Sequence, residues 1–116
     1  MITLYGIPNC DTVRKARRWL DAQGIAYRFH DFRKDGLDEQ SLRAWVDELG
    51  WEALLNRSGT TWRSAPEALR SGIGADQAIA FMLQMPAAIK RPVLDTGRER
   101  VVGFSEPRYQ LLFSRR

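Results

Sequence analysis

The sequence predicts an α/β protein with a four-stranded mixed sheet, flanked by helices and carrying a helical insertion. Three observations predict this fold class. A strand, a helix and a second strand follow one another at the start of the chain, and the segment from about 38 to 85 is nearly all helical. The remainder pairs a β-hairpin with a closing helix. A strand, helix and strand in close succession form a right-handed unit with parallel strands.

The first strand is a short apolar run that ends at turn residues. Gly6, Pro8 and Asn9 end it, and a helix follows in which the apolar residues are three and four positions apart. The only cysteine of the chain, Cys10, therefore lies between the carboxyl end of a strand and the amino end of a helix.

This position of Cys10 favours a thiolate. The first N–H groups of a helix lack intrahelical partners, and with the helix dipole they attract negative charge and lower a thiol pKa. Arg14, one turn further on, adds positive potential, whereas Asp11 opposes it. A lone cysteine is more often a small buried apolar residue. The polar flanks and the strand-to-helix turn favour a functional thiol here.

The second strand is predicted over residues 25–32, where apolar and polar side chains alternate. Ligands of such units collect beyond the carboxyl ends of the strands, which is the edge where Cys10 lies. The only histidine, His30, is near the end of this strand. It could act as a base for Cys10 if the two are adjacent in space. A histidine without a catalytic role is the more common alternative.

The insertion is predicted to hold several helices. Asp38 is a good N-cap for a helix that ends at Leu49, and a further turn is expected up to Leu55. Residues 56–63 are predicted to form a polar loop, in which Arg57 either binds an anion or is simply solvated. A capping box of Ser64 and Glu67 predicts the next helix, and another covers residues 76–84.

The last third of the chain completes the sheet. Pro86 ends the helical segment, and the Arg91–Pro92 bond is a candidate for the cis form. A hairpin and a final helix follow, with Tyr109 facing the core and residues 114–116 frayed. The order of elements describes a thioredoxin-like architecture with a helical insertion.

Composition limits the classes of function. The 116 residues predict one domain over 1–116. A single cysteine cannot form an internal disulfide, and one cysteine with one histidine cannot form a closed zinc site. The sequence has no membrane-spanning run and no signal-peptide pattern, so a reduced, cytoplasmic setting is expected. The net charge of +4 comes from arginines dispersed along the chain, which suits small anions and makes nucleic acid an unlikely partner.

Four separated motifs carry a resemblance to a known family. They are YGIPNCDT from Tyr5, NRSG from Asn56, RPVL from Arg91 and the ending VGFSEP-x-Y from Val102. Together they resemble the arsenate reductase (ArsC)/Spx family, closest to its YffB branch, over essentially the whole chain.

The resemblance implies roles for particular residues. Cys10 matches the cysteine that attacks the oxyanion, and Arg57 and Arg91 match arginines that hold the anion and lower the thiol pKa. Pro92 matches the proline that lies opposite the cysteine and presents backbone groups to glutathione or an extended peptide. Asn9, Thr12 and Arg14 complete the candidate anion-binding set.

Three departures separate this chain from relatives of known activity. A third arginine of the arsenate enzymes is missing from the stretch Val102–Ser105, and the nearest one downstream is Arg108. Asp11 replaces a glycine of those enzymes, which should repel arsenate. Val13 stands where redox-regulating Spx members often have a second cysteine.

These observations predict a glutathione-dependent monothiol reductase that acts through Cys10 by thiol–disulfide exchange. Glutathione would be a co-substrate, no cofactor or metal would be bound, and the partner would be glutathione or a glutathionylated protein. The first alternative is an Spx-like module that docks on a protein partner such as RNA polymerase without catalysis. The second is a degenerate arsenate reductase, so whether the protein is an enzyme stays open at this stage.

Overall fold

The structure is a computed structural model that describes residues 1–114, and these form two compact units. The first unit consists of Met1–Asp35 and the segment from Arg91 onward, and the second is Gly36–Lys90. The helical insertion predicted for residues 38–85 lies within the second unit. That the chain behaves as one domain over residues 1–116 stays a prediction.

The first unit contains a four-stranded mixed sheet, as the sequence predicts. Its strands are β1 (Thr3–Gly6), β2 (Arg28–Asp31), β3 (Val93–Asp95) and β4 (Arg100–Val102), in the spatial order β2-β1-β3-β4. β1 pairs parallel with β2 and antiparallel with β3, and β3 pairs antiparallel with β4.

The register of the sheet brings several segment ends to one edge. Tyr5 pairs with His30 and with Val93, and Val93 pairs with Val102. The carboxyl ends of β1, β2 and β4 therefore lie at the same edge as the amino end of β3. The segments that leave or enter the sheet there begin at Ile7, Phe32 and Gly103 and end at Pro92.

Eight helices lie in the described part of the chain. They are α1 (Asp11–Ala22), α2 (Phe32–Asp35), α3 (Glu39–Leu49), α4 (Trp51–Leu54), α5 (Thr60–Arg63), α6 (Glu67–Arg70), α7 (Ala75–Gln84) and α8 (Glu106–Ser114), and a 3₁₀ turn covers Pro86–Ala88. None of these described helices is long and apolar enough to cross a membrane.

α1 and α8 share a hydrophobic core with one face of the sheet. Leu4, Leu94 and Val101 are neighbours across three strands, so their side chains emerge on the same face. They form a buried cluster with residues of the two helices and of the amino terminus: Ile2, Ala16, Leu20, Tyr109 and Leu112. This apolar cluster fixes where the amino ends of both helices lie relative to the sheet edge.

The second strand is shorter than the alternating pattern predicts. It covers only Arg28–Asp31, and Phe32 already begins α2. The Asp31 carboxylate accepts a hydrogen bond from the Arg33 N–H at 2.9 Å, and the Asp31 N–H donates to the Asp35 carboxylate at 3.1 Å. These local bonds replace the strand ladder, because aspartate side chains stabilise turns.

Two expectations for the insertion are wrong. The second half of the predicted polar loop is helical, since Thr60–Arg63 form α5 and Trp62 is buried with its ring 5.6 Å from that of Phe81. The capping box does not form. Ser64 ends α5 with helical backbone angles, which an N-cap residue does not adopt, and α6 starts after Pro66 instead.

Other expectations for the insertion and the carboxyl-terminal part are confirmed. The Asp38 side chain accepts a hydrogen bond from the Ser41 N–H at 3.2 Å and caps α3, and Gly50 ends that helix with φ +88°. The Arg91–Pro92 bond is cis. The expectation that Ser114 frays is not confirmed, since Ser114 is the last residue of α8. Residues 115 and 116, to which the same expectation applied, lie outside the described part of the chain.

Candidate active site

Cys10 is the N-cap residue of α1, at the edge of the sheet described above. Its backbone is extended, with φ −98° and ψ 129°. The Cys10 N–H donates to the Ile7 carbonyl at 3.3 Å, and the Cys10 carbonyl accepts from the Arg14 N–H at 2.9 Å. The first of these bonds closes the turn after β1 and the second begins the helix, so both hold the cysteine at the helix start.

The thiol of Cys10 is half-buried, and its surroundings favour the thiolate. Burial by itself raises the pKa of Cys10. Hydrogen bonds from the N–H groups of Val13 and Thr12 and from the Arg91 guanidinium, with the positive charge of Arg91, outweigh burial. The resulting pKa of Cys10 lies below the ordinary thiol value. Cys10 is therefore present as the nucleophilic thiolate at a lower pH than a free thiol is.

Arg91 and Pro92 immediately precede β3, whose amino end lies at the same sheet edge as Cys10. The Arg91 guanidinium is one of the groups that lower the pKa of Cys10, through hydrogen bonding and through its positive charge. Pro92 is buried, has no N–H, and its carbonyl already accepts the Gly103 N–H at 2.8 Å. The role of Pro92 in presenting backbone groups to a ligand stays a prediction.

Arg14 and Asp11 pair with each other in the first turn of α1. The Arg14 Nη2 atom is 2.9 Å from Asp11 Oδ1 and 3.3 Å from the backbone oxygen of Asn9. Both side chains are well exposed, at 50% for Arg14 and 87% for Asp11. The positive potential expected from Arg14 is therefore offset locally by Asp11, and Asn9 contributes its carbonyl to this arrangement.

Arg57 belongs to the second unit. It is exposed, and its guanidinium lies over the ring of Trp51, 5.7 Å from the ring centroid. The preceding Asn56 is held by its N–H, which donates to the Ala88 carbonyl at 2.8 Å, and by the Ser58 hydroxyl at 3.0 Å from its side-chain oxygen. Binding of an anion by Arg57 stays a prediction.

His30 packs among aromatic rings. Its ring centroid is 4.8 Å from that of Tyr5 and 6.4 Å from that of Phe32. The groups that shift the pKa of Cys10 do not include His30. These contacts give no support to the hypothesis that His30 is the base for Cys10.

The sequence reasoning missed two features of the site. Val13 is named from the sequence only as the position where Spx members often have a second cysteine, yet its N–H also lowers the pKa of Cys10. The signal is the spacing, because the free N–H groups two and three residues beyond an N-cap residue lie close to its side chain. Arg108 is counted only as a residue inside the last helix, yet its Nη1 atom donates to the Val102 carbonyl at 3.1 Å. That contact places the positive charge of Arg108 at the end of β4.

Comparison with known proteins decides the family. The model of the ArsC family matches residues 5–112 of this chain. This chain belongs to the ArsC family. The four motifs and the predicted element order identify the same family, and the thioredoxin-like fold predicted from them is confirmed.

Individual relatives agree with this assignment. A solved structure described as YffB protein is 46% identical, covers 96% of this chain and 97% of its own, and superposes with a TM-score of 0.93. An arsenate reductase (ArsC) related protein from Brucella melitensis is 47% identical, with 97% and 93% covered and a TM-score of 0.79. The global transcriptional regulator Spx of Listeria innocua is 26% identical over 100% of this chain and 89% of its own. An uncharacterized protein of Haemophilus influenzae is 40% identical, with 98% and 100% covered.

Proposed function

We propose that this ArsC-family protein is a thiol-dependent reductase that works through Cys10, with glutathione as its co-substrate. The observation that carries the proposal is the activated sulfur at the start of α1. Arg91 and two backbone N–H groups lower its pKa against the opposing effect of burial. Thiol–disulfide exchange needs such a thiolate, since the thiol form is a poor nucleophile.

The proposed reaction has two exchange steps. The Cys10 thiolate attacks one sulfur of a disulfide, a Cys10 mixed disulfide forms, and the other sulfur leaves as a thiolate that takes a proton from water. A second thiol then attacks the mixed disulfide and restores the Cys10 thiolate. The chain has one cysteine, so the resolving thiol must come from outside. Glutathione, which is abundant in the cytoplasmic location we predict, would serve, and no bound cofactor is required.

Charge complementarity supports glutathione as the small thiol. Its two carboxylates suit guanidinium groups, which bind carboxylates through paired hydrogen bonds. Arg91, which lowers the pKa of Cys10, and Arg14, in the first turn of α1, are candidates for these contacts. Arg57, in the second unit, is a candidate from the family resemblance alone. Asn9, Thr12 and Pro92 would supply backbone or hydroxyl contacts beside them.

The test is reduction of a glutathionylated peptide by glutathione, followed with and without the protein. The wild type should accelerate the exchange and pass through a Cys10–glutathione adduct visible by mass spectrometry. Cys10→Ser should abolish both, because serine cannot form the mixed disulfide. A Cys10→Ser variant with full activity would overturn the proposal. A Ser64→Ala variant, which changes a hydroxyl of the second unit, is the matched control.

An Spx-like binding module without catalysis is the second candidate. The full-length similarity to the Listeria regulator favours it. Val13, where redox-regulating Spx members often have the second cysteine, weighs against a disulfide switch within the chain. A stoichiometric protein partner retained equally by wild type and Cys10→Ser, with no acceleration of exchange, would favour this candidate over the reductase.

Arsenate reduction is the third candidate, favoured by the similarity to the Brucella protein described as arsenate reductase related. Asp11 and the missing arginine between Val102 and Ser105 weigh against it. If these two departures are the cause, Asp11→Gly combined with Gly103→Arg should create arsenate reductase activity. Gly103 has a φ of +83°, where an arginine strains the backbone. Absence of any gain would therefore show that other residues block this reaction only if the double variant unfolds in urea at the same midpoint as the wild type.

A further inference from the structure

The first turn of α1, directly after Cys10, carries an exposed ion pair. Arg14 donates from one nitrogen both to the Asp11 carboxylate, at 2.9 Å, and to the Asn9 carbonyl, at 3.3 Å. The Asp11 side chain is 87% exposed, so most of its carboxylate faces the solvent from which a substrate approaches. A carboxylate has about four acceptor positions, and the single bond from Arg14 leaves acceptor capacity on Asp11.

Arg91 and Arg14 differ in where their positive charge acts. Arg91 is half-buried, and its positive charge acts on the Cys10 thiolate, whose pKa it lowers. Arg14 is matched by Asp11. Of this ion pair, the more exposed member is the Asp11 carboxylate beside Cys10, at 87% against 50% for Arg14.

We propose that Asp11 is a specificity-determining residue for the thiol exchange. It makes Cys10 select disulfides that carry an ammonium group close to the sulfur over disulfides that carry only carboxylates. The substrate class is thus a disulfide of an amino thiol or amino acid, whose ammonium pairs with Asp11. A carboxylate on the same molecule pairs with the remaining donors of the Arg14 guanidinium, which has five N–H groups in all. This inference rests on the proposed function, since it concerns which disulfide reacts at Cys10.

In the reaction, the Cys10 thiolate forms a bond to one sulfur of the substrate disulfide and the substrate S–S bond breaks. The Cys10 sulfur is oxidised to a mixed disulfide while the leaving sulfur is reduced to a thiolate, which takes a proton from water. No further oxidant or reductant is needed for this step. Asp11 touches neither reacting sulfur and acts only on the charge carried next to it.

The test measures exchange with three small disulfides of different charge. Cystamine carries two ammonium groups, bis(2-hydroxyethyl) disulfide is neutral, and 3,3′-dithiodipropionate carries two carboxylates. The rate of Cys10 adduct formation with each charged disulfide is divided by the rate with the neutral one. This division removes any change in the nucleophilicity of the sulfur itself. The ratio of the two quotients then reports the charge preference of the site.

Asp11→Asn should lower the preference for cystamine over dithiodipropionate about fivefold, the size expected for charge interactions across several ångströms of exposed surface. Arg14→Gln should shift it in the opposite direction, because Asp11 then lacks its partner. Both shifts should shrink in 1 M salt, where the screening length is about 3 Å. Asp21→Asn is the matched control. It removes the same charge from the same helix about 15 Å away, and should leave the preference unchanged.

The outcomes separate this inference from the proposed function. If none of the three disulfides forms an adduct with Cys10, the inference fails, and the exchange assay with the glutathionylated peptide decides separately whether the reductase proposal stands. If all three react and Asp11→Asn leaves the charge preference as in the wild type, the inference is wrong and the reductase proposal stands. A shift of equal size in Asp21→Asn would also overturn it, because the preference would then follow net charge alone.

Discussion

Two arginines of the first unit, Arg14 and Arg91, differ in their effect on Cys10. Arg14 is four positions from the cysteine along the chain, yet its guanidinium is paired with Asp11. Arg91 is distant in sequence, yet it lowers the pKa of Cys10. The difference arises because β3 runs antiparallel to β1, so that the segment before β3 lies at the edge where β1 ends. Closeness along the chain is thus a poor guide to which cation acts on a nucleophile.

Replacing each arginine by glutamine should give the largest contrast. Arg91→Gln removes a hydrogen bond and a charge from the sulfur, and should slow alkylation of Cys10 by iodoacetamide at pH 6 about tenfold or more, since a hydrogen bond to a charged group contributes about 1.5–3 kcal/mol. Arg14→Gln should change this rate by less than about threefold. Mass spectrometry of the alkylated protein measures both. Equal slowing in the two variants would contradict the comparison.

Arg91 and Arg14 should also differ in their effect on the pH dependence of stability. The pKa of Cys10 is lowered in the folded protein, so the folded state binds its proton less tightly than the unfolded state. The contribution to stability is therefore fully present above the ordinary value of 9.0 and is lost as the pH falls through the lowered pKa.

Urea unfolding of wild type and Cys10→Ser at several pH values tests this linkage. The free energy of unfolding of the wild type relative to Cys10→Ser should increase as the pH rises from 6 to 9. The same pair of proteins carrying Arg91→Gln should show a weaker increase, and the pair carrying Arg14→Gln should resemble the original pair. A difference that decreases with pH would mean that burial outweighs the hydrogen bonds.

The smallest effect is expected in the core beneath the site. The Tyr109 hydroxyl is buried and has no hydrogen-bond partner among the described residues, and burial raises its pKa. Tyr109→Phe should leave stability unchanged or increase it by up to about 1 kcal/mol, because an unpaired buried hydroxyl costs free energy. Alkylation of Cys10 should keep its wild-type rate. Destabilisation by more than about 1 kcal/mol would show that this hydroxyl has a partner in solution.

The sequence predicts most of the fold because its local signals agree with one another. The apolar spacing of α1, the capping aspartate of α3 and the proline before β3 each act locally, and the structure has all three elements where these signals place them. The errors occur where two local signals compete. Ser64 can begin α6 or end α5, and burial of Trp62 favours α5. Asp31 and Asp35 end β2 before its alternating pattern does.

The candidate site is predicted in outline, but its electrostatics are not. Cys10 at a helix start follows from the turn and the helical pattern, and Arg91 follows from the family resemblance. Spacing alone does not show that Arg14 is already paired with Asp11, because the side-chain conformation of each depends on the other. Nor does it show that Arg108 contacts the end of β4, since that requires the path of the chain from β4 into α8.

The pH dependence of Cys10 alkylation in the folded wild-type protein tests the central claim most directly. The rate of reaction with iodoacetamide, measured from pH 5 to 10, follows the thiolate fraction of this single cysteine. The account predicts a midpoint clearly below the ordinary thiol pKa of 9.0. This midpoint should move upward in Arg91→Gln and stay in place in Arg14→Gln. A wild-type midpoint at or above 9.0 would contradict it, because burial would then outweigh Arg91 and the helix N–H groups.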